Sequence, residues 1–222
     1  MSEEMIHMIN RAQSQAKRDA FFSFLGKNSK VVVKILFVLI AIGIITTGFT
    51  AYQKANQEKF SEILHLSLVD QQIGELEKSR EGLKKIVESS SAPSGVKSLA
   101  SLRYASLLLE ENKKSEAAKI YLKIADCGSC DDYVRDLGRL LLVKVWMSDQ
   151  EELSKPDLSD RIKKIEESAD VLKYNIAEQR AFLALQQDKR EEAKKIFAEI
   201  EKGSEKQPTL KNRAADGIKM TE

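Results

Sequence analysis

Between Ile35 and Tyr52 the chain runs for eighteen residues without a charge, ILFVLIAIGIITTGFTAY, whereas charged residues return every few positions elsewhere. Val31, Val32 and Val33 extend the apolar stretch on the other side of Lys34. A helix rises about 1.5 Å per residue and the hydrocarbon core of a bilayer is about 30 Å thick, so roughly 20 such residues cross it. The pattern predicts a transmembrane helix over 31–52. Lys34 can carry its ammonium back to the headgroups along its aliphatic stem, and Tyr52 has the amphipathic ring that suits the opposite interface. The alternative is a buried core helix, but soluble cores seldom hold a charge-free run this long. The tail before the run is longer than the basic region of a signal peptide. In Phe49–Thr50–Ala51 a Phe fills the upstream small-residue position, so the run reads as an uncleaved anchor.

The flanks orient it. Lys27, Lys30 and Lys34 crowd the N-terminal side, whereas Lys54 and Lys59 are interleaved with Glu58 and Glu62 on the other. The positive-inside rule puts residues 1–30 in the cytoplasm and residues 53–222 across the membrane, which in a bacterium with two membranes is the periplasm. Within the tail, Met5, Ile9, Ala12 and Ala16 share one helical face, and Ser2 with Glu3 and Glu4 forms a capping start. That pattern predicts a short amphipathic helix resting on lipid headgroups. Gly43 and Gly48 are five apart and make no GxxxG pair.

Beyond residue 53 the apolar positions follow a helical period and recur. Four segments carry a small or apolar residue, an apolar one four later and another three later: Gly82–Ile86–Ser89, Ala117–Tyr121–Ile124, Leu158–Ile162–Ile165 and Ala193–Phe197–Ile200. Ala105 lies twelve residues before Ala117 and Ala181 twelve before Ala193, with Gly138 as the matching small residue of the third unit. In the first unit Asp70 takes that place, and its leading helix, about 57–73, continues from the membrane span. Small residues let the two helices of a pair approach, while Tyr121 and Phe197 fill the gap to the next pair. One unit cannot cover its own apolar face, so units must stack. SDQEELSKPD is polar and holds Pro156, as an inserted loop of the third unit would. Pro93, Pro156 and Pro208 all fall in expected connections. A last helix from Thr209 to about Ile218 would cap the final face. The fold predicted is all-α: one N-terminal transmembrane helix, then a tetratricopeptide-like solenoid of about four helical hairpins.

Composition agrees with a helical, globular chain, with 3 Pro and 10 Gly among 222 residues. The net charge is +2, and the basic excess sits before the span. The rest mixes both signs, which excludes the one-sided basic face of a nucleic-acid binder.

Taken together, the basic tail, the N-in anchor and the stretches GVKSLASLRYASLLLEENKKSEAAKIYLKIAD and RAFLALQQDKREEAKKIF resemble the ancillary Sec translocon subunit family. The Cys pair and the loop around Pro156 depart from that pattern. The resemblance implies a non-enzymatic protein of the bacterial inner membrane whose partners are Sec translocon subunits and periplasmic chaperones, and which helps exported chains reach those chaperones. It brings no catalytic residues and no cofactor. By analogy with tetratricopeptide solenoids, the first helix of each hairpin lines a concave face, offering Arg135 and Arg139 from the third unit and Asn175, Glu178 and Phe182 from the fourth. A scaffold for envelope assembly or cell division would use the same fold with other partners.

Chemistry is sparse. His7 and His65 fall on opposite sides of the span and cannot share a site, and there is neither a Gly-rich phosphate loop nor an HExxH motif. Neither a metal nor a small-molecule substrate is expected. The one sharp motif is Cys127–Gly–Ser–Cys130. In an oxidising compartment it can close a local disulfide across the turn. The lesser alternatives are two free thiols without a role and, last, a thiol–disulfide oxidoreductase, whose logic normally needs a βαβ setting. Shared metal binding would need about four ligands. Trp146, after a Leu and Val run, reads as packing.

Overall fold

The computed structural model describes Gln15, Lys17, Arg18 and residues 29–222. Its helices are α1 (Ser29–Gln72), α2 (Leu76–Glu88), α3 (Ser94–Glu110), α4 (Lys114–Ala125), α5 (Asp132–Ser148), α6 (Gln150–Leu153), α7 (Leu158–Glu167), α8 (Lys173–Gln186), α9 (Arg190–Gly203) and α10 (Pro208–Lys219). No strand occurs among the described residues. The chain divides into two units, residues 1–55 and 56–222.

In the first unit, the apolar part of α1 is the one described helix long and apolar enough to cross a membrane, and its apolar window is wholly unburied. Phe37, Ile44, Ile45 and Phe49 are all exposed. Hydrocarbon offers no partner to a hydroxyl, so the threonines of a span must bond to their own helix. They do: the Thr46 hydroxyl donates to Ile42 O and Gly43 O at 3.0 Å, Thr50 to Thr47 O at 3.0 Å, and Thr47 to Gly43 O. The amphipathic helix expected around Met5, Ile9, Ala12 and Ala16 lies outside the described residues.

The second unit is a series of helix pairs sharing apolar clusters. Phe60 of α1 packs with Leu83 and Ile86 of α2 and with Ala100 and Leu107 of α3. Ala105 and Leu108 of α3 then join Ala117, Tyr121 and Ile124 of α4 and Leu142 and Val145 of α5. Val143 of α5 joins Leu158 and Ile162 of α7 and Ile176 and Leu183 of α8. Ala181 of α8 joins Ala193, Phe197 and Ile200 of α9 and Leu210 and Ala214 of α10. Thus α3, α5 and α8 each contribute to two clusters, so every pair has its apolar face covered by the next. Helix α10 covers the last one, with Gly217 beneath the Phe197 ring.

The turns within three of the pairs, α1–α2, α3–α4 and α8–α9, share one design. Gly74 (φ 85°), Asn112 (φ 60°) and Asp188 (φ 57°) are left-handed. After each, the next backbone N–H reaches back to close the helix: Glu75 to Asp70 O at 2.8 Å, Lys113 to Leu108 O at 2.8 Å and Lys189 to Ala184 O at 2.9 Å. This is a Schellman end, for which Gly, Asn and Asp are the residues that tolerate positive φ. Pro93 is the N-cap of α3, and Pro208 is the first residue of α10, not part of the connection, in the place where a missing N–H costs nothing.

Three further details differ from the sequence reading. The residue that lets α1 approach Gly82 is Ser67, not Asp70: a Cβ at 82 would overlap the Ser67 hydroxyl. Gly138 opens the way not within its own pair but toward the preceding one, since a Cβ there would lie 2.8 Å from Ile124 Cγ2 and 3.1 Å from the Ala125 backbone nitrogen. The stretch read as a loop around Pro156 contains α6, which Asp149 starts by accepting from Glu151 N at 3.0 Å. Glu152 of α6 is held by Lys155 and Arg161, each at 2.7 Å, and the Arg161 guanidinium lies 4.0 Å from the centre of the Trp146 ring. A charge network and a cation–π contact thus fold the insertion onto α5.

Candidate protein-binding surface

Helix α5 carries Arg135 and Arg139, α8 carries Asn175, Glu178 and Phe182, and the two helices pack on each other. Most of these side chains are taken up inside the fold. Arg139 pairs at 2.7 Å with Asp136, which is 1% exposed. The other Asp136 oxygen accepts backbone N–H bonds from Asp170 (2.9 Å), Val171 (2.7 Å) and Leu172 (3.1 Å). Burial alone would push this carboxyl up. The Leu172 N–H, the Arg139 guanidinium and the Val171 and Asp170 N–H groups outweigh it and hold the group below the usual carboxylate range.

Glu178 is buried and takes two bonds from Arg213 of α10, at 2.7 and 2.9 Å. The Phe182 ring meets Phe197 edge to face, with centroids 5.5 Å apart. Arg135 pairs with Asp132 in the first turn of α5, and its Nε is buried without a partner. Asn175 is half-buried. Arg135 and Arg139 thus pair within α5, Phe182 packs α8 on α9, and Glu178 ties α8 to α10. None of the five lines the cleft where α3 begins and α4 ends.

That cleft, of about 610 Å³, lies where α3 begins and α4 ends. Its lining includes Ser94, Ser98 and Ser101 of α3, Ile120, Lys123 and Ile124 of α4, and the Cys127–Cys130 turn. Cys127 and Cys130 form a disulfide, and no described cysteine is free. Ser98 Oγ lies 3.0 Å from Cys130 Sγ. Lys97 at the cleft donates to Ser89 O at 2.7 Å.

The serines were not singled out in the sequence. Their signal is the spacing Ser94–Ser98–Ser101, one helical face carrying three hydroxyls beside an apolar helix. Among the described residues, no three or more His, Cys, Asp and Glu side chains are grouped to hold a metal ion, and His65 is exposed. Comparison with protein-family models, curated proteins and solved structures gives no match.

Proposed function

We propose that this chain is a membrane-anchored interaction protein of the export machinery, and not an enzyme. In this reading α1 crosses the inner membrane with the basic tail in the cytoplasm. The helix pairs form a tetratricopeptide-like solenoid in the periplasm, where they bind other proteins: the Sec translocon on one side and periplasmic chaperones on the other. The observation that carries the reading is an unburied apolar helix joined to paired helices whose turns repeat the same left-handed geometry at Gly74, Asn112 and Asp188. Stacked pairs of this kind serve as binding surfaces because each pair adds exposed helix face without adding a new core. The sequence resemblance supplies the choice of partners.

Crosslinking in intact membranes followed by pull-down through a C-terminal tag tests it. Recovery of translocon subunits and periplasmic chaperones is the expected result. Recovery of neither would overturn the translocon assignment.

A further inference from the structure

A series of stacked helix pairs needs a polar outer face at each end, because an end pair has no neighbour to cover it. The C-terminal end has one: α10 buries Leu210, Ala214 and Gly217 and leaves Lys211, Asn212, Asp216 and Lys219 exposed. The N-terminal end does not. Within the second unit α1 buries Phe60 and Ser67, yet Leu66 is 54%, Val69 37% and Ile73 68% exposed. Ile73 lies just past the end of α1 and keeps its turn, donating its N–H to Val69 O at 3.1 Å. The other exposed large apolar side chains described in this unit are spread one to an element or connection, at Leu76, Leu99, Leu122, Tyr133, Val171 and Met220.

The spacing of the exposed positions on α1 says what covers them. Lys59, Glu62, Leu66, Val69 and Ile73 follow one another by three, four, three and four residues, and all five are exposed. These are the a and d places of a heptad, the pattern by which one helix seats its side chains between those of another. In the sequence the same register runs back through Ala55, Tyr52, Gly48, Ile45, Ala41 and Val38, with a small residue at each d place. Small residues at a contact let two spans approach closely. A second copy of this chain carries the whole register. It also answers the two charges in it: Lys59 and Glu62 are opposite in sign and three residues apart, so a parallel copy sets each Lys59 beside a Glu62 of the other chain. A lone polar a place in an apolar seam is a device that fixes register and chain number. Head-to-tail stacking would instead set Leu66, Val69 and Ile73 against the polar face of α10, which offers them no apolar partner. A stripe that pairs with itself closes at two.

We propose that the Lys59–Ile73 stripe of α1 is the interface of a parallel homodimer, packed on the same stripe of a second copy. The parallel direction rests on the membrane-anchored reading above, in which both copies enter the bilayer by the same end. The dimer covers the open end of each series of helix pairs.

The test is crosslinking of the full chain in membrane vesicles. In a Cys127→Ser, Cys130→Ser background, Leu66→Cys and Ile73→Cys are each expected to give a disulfide-linked dimer under mild oxidant. Ser61→Cys and Glu81→Cys, exposed positions off the stripe, are expected to give about tenfold less or below. An antiparallel pair brings at most one of the two stripe positions onto its own counterpart, so capture at only one of them would overturn the parallel dimer. Benzoylphenylalanine in place of Val69, with the native cysteines kept, needs no cysteine-free chain to fold and is expected to label a second copy. Adding Leu66→Glu and Ile73→Glu to that chain places charges in the seam and removes no core. The label on a second copy is then expected to fall about tenfold or more, with helical circular dichroism unchanged. Labels only on lipid or on another protein, or an undiminished self-label in the glutamate variant, would overturn the proposal. If no stripe position captures a second copy while the chain still captures other proteins in membrane pull-downs, the dimer falls and the protein-binding reading stands.

Discussion

The buried carboxylate of Asp136 accepts a hydrogen bond from the backbone N–H of Leu172 at 3.1 Å, across 36 residues of sequence. With Asp170 and Val171 it satisfies three donors just before α8, while its other oxygen holds Arg139. Asp136→Ala should strand these donors and a largely buried guanidinium together, costing about 3 kcal/mol or more. Urea unfolding of the full chain in detergent measures this. A loss below about 1 kcal/mol would mean that water replaces the carboxylate.

The same carboxyl gives a pH dependence. Its folded value lies below its unfolded one, so its contribution is fully present above the unfolded value of about 4 and is lost as pH falls through the lower folded value. Wild type should therefore lose more stability than Asp136→Asn as the pH is lowered from about 5 toward 3. Parallel stability curves for the two proteins would contradict the assignment.

Two glycines in helices should respond in opposite directions to alanine. At Gly95 an added Cβ meets nothing within 4 Å, so Gly95→Ala should stabilise by about 0.5–1 kcal/mol through helix propensity. At Gly138 the added Cβ meets Ile124 and the backbone nitrogen of Ala125. Gly138→Ala should destabilise by about 1–3 kcal/mol, since backbone cannot swing aside as a side chain can. Thermal melts of the two variants check both signs.

At the C-terminal end, Arg213→Ala leaves Glu178 buried without its partner. A loss of about 2–4 kcal/mol is expected, and the double change Glu178→Gln with Arg213→Met should recover part of it, because two neutral groups leave no buried charge. Equal losses for the single and the double variant would show that the pair contributes through packing alone.

Much of this helix order is legible in the sequence because its signals are local. Pro93 and Pro208 mark helix starts, and the Ala pairs 105/117 and 181/193 mark where paired helices touch. The turn signals were equally present: Gly74, Asn112 and Asp188 are the residue types that accept positive φ. What could not be read is long-range. Nothing local says that Glu178 will meet Arg213, 35 residues on, or that Asp136 will spend its oxygens on the α7–α8 connection. A polar residue on the first helix of a pair looks the same whether it faces a partner or an internal cation. The helix α6 was missed for a related reason: SDQEELSKPD is polar, and what folds it down is the contact of Glu152 with Arg161 and of Arg161 with Trp146.

All that is proposed for the helix pairs requires them to face the compartment into which polypeptides are exported. The direct measurement is protease accessibility in spheroplasts, with epitope tags at both ends of the chain. The account predicts that external protease removes the C-terminal tag and the helix pairs while a membrane-bound fragment keeps its N-terminal tag, resistant to carbonate extraction. A C-terminal tag protected until the inner membrane is broken, or a chain released by carbonate, would contradict it.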